Sequence, residues 1–198
     1  MASHNFSAVT IIDTCNNSLY FEVTERDLEE DCFQRSKQVW NYWITCYNHK
    51  FLMFDGERDF QLRDLTKSQA HVSENQFQIH IYDSSLLDKK GRAVMLYVNK
   101  PDQKDGKKIV VCCRNDKEIY AEEMDVPQNI DGLSDKALFY RTELAATNKY
   151  MFESTAHQGW FLGFNPSPES CLLKLVLRHI NKDQVDEPCE FHLCESKK

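Results

Sequence analysis

The sequence lacks the features of membrane-spanning chains and of conventionally secreted precursors. No stretch of its 198 residues approaches the roughly 18 consecutive apolar residues that a membrane helix requires. The first residues, MASHNFSAVTII, contain no basic segment, and their short apolar run is interrupted by Thr10. The sequence therefore predicts a chain that is made in the cytosol and is not inserted into a membrane.

Sequence motifs of common catalytic sites are also missing. There is no P-loop, G-x-G-x-x-G, H-E-x-x-H or G-x-S-x-G motif, and the eight cysteines include no C-x-x-C pair. A cysteine hydrolase needs a thiolate beside a histidine base, and no local signature of one is present. One metal candidate, formed by His179, Cys189, His192 and Cys194, lacks a second spaced pair of ligands. The sequence predicts no enzyme activity, no cofactor and no metal.

The cysteines are expected to be mostly thiols, because cytosolic proteins are kept reduced. Cys112, Cys171 and Cys194 lie within apolar runs, so we predict that they are small core residues. Cys113 alternates with Cys112 and is predicted to face solvent.

Negative charge is concentrated at the N-terminus. The net charge is −7, and residues 1–31 account for −6 of it, with seven acidic residues against one arginine. This excess of acid argues against a nucleic-acid-binding protein. The asymmetry indicates an acidic leader with its own role. Its end, ERDLEED at 25–31, is compatible with a solvated surface loop or with a linker that a protease cuts.

From Val39 onward, short apolar runs alternate with turn signals such as Asp55-Gly56 and Asp131-Gly132, as in an all-β protein. A further strand-like segment, 18–23, could pair with the edge of such a barrel. In the run 76–82, Phe77, Ile79 and Ile81 point to one face and the residues between them to the other. The predicted strands are 40–45, 50–54, 60–62, 76–82, 93–98, 109–113, 118–121, 137–141, 150–153, 160–164, 172–178 and 190–194.

Three of these strand pairs resemble one another. They start at Phe51, Ile109 and Trp160, and each is an apolar run, a charged or proline-containing turn and a second strand. Twelve strands in three similar units are typical of a β-trefoil, a closed barrel capped by three hairpins. Closure of the barrel would remove exposed sheet edges.

The segment YMFESTAHQGWFLGF, 150–164, is rich in aromatic residues and by itself indicates a core hairpin. Its pattern F-E-S-x-x-x-x-G-W-F-L also resembles the signature segment of the interleukin-1 cytokine family. Three further stretches resemble one member of that family, in the same order along the chain: 18–33, 107–130 with its ending EEMDVPQNI, and 172–177 together with 190–193.

The resemblance implies a β-trefoil without catalytic activity, made as a pro-cytokine without a secretory signal peptide. It implies a propeptide, 1–31, and a cytokine domain, 32–198. An inflammatory caspase would cut after Asp31, which ends the tetrapeptide Leu28-Glu29-Glu30-Asp31, and would leave Cys32 as the new N-terminus. The precursor would be cytoplasmic, and the mature cytokine would reach the extracellular space by unconventional release.

The resemblance further implies that the mature domain is a monomer that binds a heterodimer of immunoglobulin-domain receptors and also fits a soluble binding protein. Lys117 and Asp135 match positions used toward the second receptor. The basic segments 89–92 and 104–108 could be hairpin tips kept soluble by their charge, or they could contact an acidic receptor surface. Carried over by matched position, the remaining receptor-binding candidates are Arg35, Lys37, Lys90, Arg92 and Arg141.

Two alternatives stay open on the sequence. The chain could be another agonist or antagonist of the same family that acts on a different receptor pair. It could also be a trefoil carbohydrate-binding module, which would need an aromatic cluster repeated in each unit. Trp40, Trp43 and Trp160 do not lie at repeat spacing, which disfavours the second alternative.

Overall fold

The computed structural model describes residues 8–15, 18–24, 32–46, 49–57, 59–66, 69, 76–84, 91–100, 106–132, 134–145, 147–166, 172–181, 184 and 186–195. No helix in this part of the chain is both long and apolar enough to cross a membrane. A 3₁₀ turn spans Glu187–Cys189. The strands are β1 (Ala8–Cys15), β2 (Ser18–Thr24), β3 (Cys32–Thr45), β4 (Phe51–Phe54), β5 (Phe60–Arg63), β6 (Phe77–Ser84), β7 (Arg92–Asn99), β8 (Lys108–Cys113), β9 (Ile119–Met124), β10 (Asn129–Asp131), β11 (Phe139–Leu144), β12 (Lys149–Ser154), β13 (Trp160–Pro166), β14 (Leu173–His179) and β15 (Phe191–Glu195).

Six strands form a closed antiparallel ring in the order β3, β6, β7, β11, β12, β15 and back to β3. Three hairpins, β4–β5, β8–β9 and β13–β14, extend from this ring. They are the three hairpins predicted from Phe51, Ile109 and Trp160. The ring with its three hairpins is the predicted β-trefoil, in which closure leaves the barrel strands without free edges.

Each of the twelve predicted strands is present, and the main error concerns where the barrel begins. The first barrel strand was predicted to start at residue 40, whereas β3 starts at Cys32. The mostly polar sequence FQRSKQ gives no strand pattern, because residues 34–39 are exposed or half-buried and show no alternation of polar and apolar side chains. The strand-like segment 18–23 does not pair with the barrel; it is β2, which pairs with β1 in a separate two-stranded sheet.

The core of the described residues has two large clusters and a small third one formed by Met151, Ile180 and Cys189. The largest cluster includes Phe77, Phe139, Phe152, Phe164 and Phe191, and the rings of Phe152 and Phe191 pack edge-on with centroids 5.3 Å apart. A second cluster covers the other face of β6, β7 and β8 with side chains from β3, β10 and the segment before β11. Because both faces of β7 are covered, its residues are buried from Ala93 to Val98.

Two cysteine predictions from the sequence were wrong. Cys113 was predicted to face solvent, but it is as buried as Cys112 because β8 has core on both sides. Cys194 was predicted to be a core residue, but it is exposed near the end of β15. Cys171 lies outside the described residues. Burial raises the pKa of the Cys46 and Cys189 thiols to about 12, so neither is a ready nucleophile.

Candidate functional site

An open groove of about 660 Å³ lies between the beginning of β3 and the facing ends of β6 and β7. Three predicted receptor-binding residues line it: Arg35 and Lys37 from β3 and Arg92 from β7. Asp83 is the one carboxylate among the described lining residues, so the groove has an excess of positive charge. Such a surface favours an acidic partner.

The beginning of β3 is held by the turn around Pro127. The Arg35 amide donates to the Gln128 carbonyl at 2.8 Å, and the Arg35 guanidinium donates to the Val126 carbonyl at 2.6 Å. The Tyr82 hydroxyl donates to the Pro127 carbonyl at 2.7 Å. These bonds connect the V-P-Q-N-I segment to both β3 and β6, so the position of Arg35 depends on a turn 91 residues away in sequence.

A buried histidine supports the floor of the groove. Between Arg35 and Val39 the register of β3 against β6 shifts, which makes an irregular segment that contains Ser36 and Lys37. The Nε2–H of His80 donates to the Ser36 carbonyl at 3.0 Å, and the Tyr97 hydroxyl lies 3.4 Å from Nδ1. Burial lowers the pKa of His80, which favours the neutral ring with its proton on Nε2.

Arg141 borders this groove. It lies directly opposite Arg92 in the pairing of β11 with β7. Its guanidinium carbon is 4.5 Å from the centroid of the Trp40 ring and 5.0 Å from that of Tyr150. Burial lowers the pKa of Arg141, with the positive charge of Arg92 adding to the effect. The two rings hold a half-buried cation in one orientation without neutralising its charge.

Gly91 brings β7 and β11 close together beside Arg141. A Cβ atom at position 91 would lie 2.5 Å from the Arg141 carbonyl oxygen and 2.8 Å from the Thr142 hydroxyl oxygen. Only a residue without a side chain fits this contact. The basic-glycine loop predicted from the sequence therefore has a packing reason for its glycine.

Lys117 and Asp135, predicted to face the second receptor, are not among the described residues that line the groove. Lys117 is in the β8–β9 turn with φ of 72°, and its ammonium is 4.0 Å from the centroid of the Trp160 ring. The Asp135 carboxylate accepts from the Ala137 amide at 2.7 Å, and the Asp135 amide donates to the Thr155 hydroxyl at 3.0 Å. The segment 153–160, which we call the signature turn, contacts both.

The structure thus sorts the candidate residues into two groups. Arg35, Lys37 and Arg92 line the groove, with Arg141 at its border. Lys117 contacts Trp160 and Asp135 contacts Thr155, both in the signature turn. Lys90 and the processing residues Leu28, Glu29, Glu30 and Asp31 lie outside the described residues, while Cys32 is the first residue of β3.

Several supporting residues were not singled out as functional from the sequence. Trp40 and Tyr150 hold Arg141, and His80 supports Ser36. Their types and spacing carry no local signal, because each acts on a residue that is distant in sequence. Glu153 is different, because it belongs to the F-E-S pattern and could have been proposed as a functional residue on that basis.

No group of three or more histidine, cysteine, aspartate or glutamate side chains in the described ranges could hold a metal ion. Within the metal candidate, Cys189 is fully buried beside Met151 and Ile180, whereas Cys194 is exposed on β15. These placements do not bring the candidate's cysteines together as ligands.

A family model described as Interleukin-1 / 18 matches residues 66–186. The chain belongs to the interleukin-1/18 family. The match spans β6 through β14, which includes β7 and Arg141, the Lys117 turn and the signature turn. Membership in the interleukin-1/18 family confirms the resemblance stated above and makes the chain a cytokine with cytokine receptors as its class of partner.

Relatives in the interleukin-1/18 family match nearly the whole chain. Interleukin-18 of Mus musculus is 33% identical over 181 residues, which cover 91% of this chain and 88% of the relative. Interleukin-18 of Homo sapiens is 33% identical over 179 residues, with 88% and 85% covered. These relatives are cytokines rather than enzymes.

Solved structures show the same fold at lower sequence identity. Chicken interleukin 1 beta aligns with a TM-score of 0.58 and 20% identity, covering 82% of this chain and 99% of that one. The E118A mutant of Gallus interleukin-1 beta aligns with a TM-score of 0.57 and 18% identity, covering 81% and 98%. The structural likeness extends the β-trefoil assignment to most of the chain.

Proposed function

We propose that the chain is a pro-inflammatory cytokine precursor that an inflammatory caspase activates by cutting after Asp31. One observation carries the proposal: the first barrel strand begins at Cys32, the residue that follows the predicted cut. A cut at this position would leave every barrel strand intact. A caspase must accommodate the Asp carboxylate in its active site, and Asp31 ends the acidic sequence ERDLEED at 25–31.

In this proposal residues 1–31 are a propeptide and residues 32–198 are the active cytokine. Removal of the propeptide changes the net charge from −7 to −1, because −6 resides in the first 31 residues. The loss of acidic charge would reduce long-range repulsion from an acidic receptor surface. Proteolytic removal of a pro-segment is then the switch between the inactive and active forms.

The mature cytokine would bind a heterodimeric interleukin-18-type receptor built of immunoglobulin domains. The groove with Arg35, Lys37 and Arg92, bordered by Arg141, would engage an acidic surface of one receptor chain. Lys117 and Asp135, which contact the signature turn and do not line the groove, would engage the second chain and so start immune signalling. Two sets of contact residues are what a ligand needs in order to bring two receptor chains together.

The remaining partners and locations follow from the same proposal. The precursor is cytoplasmic and monomeric, an inflammatory caspase processes it, and the mature form acts outside the cell after unconventional release. A soluble binding protein that covers the groove would compete with the receptor. Within the family, a different receptor pair is the alternative to an interleukin-18-type receptor.

The proposal is tested by digesting the purified full chain with an inflammatory caspase and measuring the mass and N-terminus of the products. Binding to interleukin-18-type and interleukin-1-type receptor chains is then measured before and after digestion. We expect a new N-terminus at Cys32 and binding to the interleukin-18-type pair only after the cut. A cut elsewhere, or equal binding by the intact chain, contradicts the proposed activation. Binding to the interleukin-1-type pair alone would contradict the proposed receptor.

A further inference from the structure

The signature turn is closed by two buried side chains at the end of β12. The carboxylate of Glu153 accepts a hydrogen bond from the Gly159 amide at 2.8 Å, and the Ser154 hydroxyl accepts from the His157 amide at 3.2 Å. Glu153 is only 6% exposed and Ser154 only 2%. Gly159 has φ of 80°, so the turn uses a backbone conformation that favours glycine.

This turn touches the loops on both of its sides. The Thr155 hydroxyl bonds to the backbone of Asp135, and the Thr155 amide donates to the Leu138 carbonyl at 3.1 Å. On the other side, the His157 ring bonds to the Arg114 carbonyl at 2.9 Å, and the Trp160 ring lies under the Lys117 ammonium. Three loops that are far apart in sequence therefore form one connected surface.

We propose that Glu153 is a positioning residue that sets the relative placement of Lys117 and Asp135. This inference rests on the proposed function, in which these two residues engage the second receptor chain. Glu153 touches neither of them. It acts through the turn, whose first part holds Asp135 through Thr155 and whose last part holds Lys117 through Trp160.

The Glu153 carboxylate supplies the hydrogen-bond acceptor that the Gly159 amide requires. Gly159 is the last residue of the turn before Trp160, and its amide points back into the turn, where Glu153 is the acceptor. Without this acceptor the half-buried Gly159 amide loses its protein partner, and the turn can open so that water takes the place of Glu153. Opening would move Trp160 relative to Thr155 and would change the distance between the cation and the carboxylate that a partner must match.

The partner surface that fits is correspondingly mixed in charge. It would present a carboxylate to Lys117 and a basic group to Asp135, with an apolar or aromatic group against the exposed part of Trp160. Cationic and anionic groups at a defined separation select a partner by geometry as well as by charge. Glu153 would thus contribute to the specificity of the second step of assembly and not to the first.

The test compares Glu153→Ala, which removes the acceptor, with Glu153→Gln, which keeps a side-chain oxygen at that place. Glu190→Ala is the matched control, because Glu190 is a mostly buried carboxylate that pairs with Lys149 at the opposite end of β12. For each caspase-processed variant, affinity for the first receptor chain and recruitment of the second chain to the binary complex are measured separately. Hydrogen exchange of the Gly159 amide is measured on each variant without receptor.

We expect Glu153→Ala to keep its affinity for the first chain within about twofold, to recruit the second chain at least about tenfold more weakly and to exchange the Gly159 amide faster. Glu153→Gln should recover most of the recruitment, and Glu190→Ala should leave both steps unchanged. Unaltered recruitment by Glu153→Ala, an equal loss at both steps, or unaltered Gly159 exchange would each overturn the inference.

The failure of the proposed function would look different. If the processed unmutated chain recruits no second chain, or if Lys117→Ala and Asp135→Ala recruit it normally, the assignment of this surface to the second receptor is wrong. The hydrogen-exchange comparison does not involve receptor, so it still decides whether Glu153 holds the turn.

Discussion

The Arg141 guanidinium lies between the rings of Trp40 and Tyr150, 4.5 Å from one centroid and 5.0 Å from the other. Trp40 belongs to β3, while Arg141 and Tyr150 belong to the paired strands β11 and β12. This contact therefore connects β3 to β11 and β12, which come much later in the sequence. It also orients a half-buried cation at the border of the groove before any partner arrives, which lowers the entropy lost on binding.

We predict that Arg141→Ala weakens binding to the first receptor chain by about 2 kcal/mol, roughly 30-fold, because a few arginine and aromatic side chains carry much of the binding energy of an interface. Arg141→Lys should show an intermediate loss, since lysine keeps the charge but not the planar stack. Lys104→Ala is the control and should change the affinity by less than about 0.5 kcal/mol, because the sequence predicts a charged hairpin tip at 104–108. Surface plasmon resonance on processed protein measures all three. Equal, small effects for Arg141→Ala and Lys104→Ala would show that Arg141 is not an anchor.

A second prediction concerns Gly91. Gly91→Ala places a methyl group against the Arg141 carbonyl, so we expect a loss of about 1–3 kcal/mol in the free energy of unfolding and weaker receptor binding. Gly106→Ala is the control. Its φ of 80° means that alanine there costs about 1 kcal/mol of stability, but the added Cβ meets no atom within 4 Å and Gly106 does not line the groove. Chemical denaturation and receptor binding separate the two. Unchanged binding by folded Gly91→Ala would mean that the approach of β7 to β11 does not position Arg141.

A third prediction concerns acid sensitivity. Burial lowers the pKa of His80 in the folded state below its unfolded-state value near 6.5. The unfolded chain therefore takes up the proton first, and the contribution of His80 to stability, complete above that value, falls as the pH drops toward the folded-state pKa. His80→Gln can still donate to the Ser36 carbonyl but does not titrate. Urea denaturation at pH 7.5 and pH 5.0 should show a smaller loss of stability in His80→Gln than in the unmutated chain. An equal loss in both would mean that His80 does not contribute to the acid sensitivity.

A fourth prediction concerns processing. Asp31→Ala should abolish the caspase cut before Cys32 and leave the thermal unfolding midpoint unchanged, because position 31 precedes the first barrel strand. Asp27→Ala, in the same acidic segment, is the matched control and should be cut as the unmutated chain is. Mass spectrometry of the digests reports the cut, and circular dichroism reports the fold. Normal cutting of Asp31→Ala would remove Asp31 from the proposed processing site.

The hairpins were predictable because their information is local. Each consists of two strands and a turn within about 20 residues, so strand and turn preferences can be recognised locally. The start of β3 at Cys32 was not predictable in the same way, since this part of the strand pairs with β6 and β10, which are distant in sequence. The burial of Cys113 was missed for a related reason: alternation assumes one solvent face, and β8 has none.

The sequence by itself determined the all-β class, the three similar hairpins, the acidic first 31 residues and the family resemblance, because these depend on composition, short-range order and residue identity. Only the tertiary structure decided which candidate residues share a surface. Barrel closure brings Arg35 and Arg92 to one groove, and the turn held by Glu153 brings the loops of Lys117 and Asp135 together. Contacts of this kind join residues that are far apart in the chain, and they arise only when the whole barrel has formed.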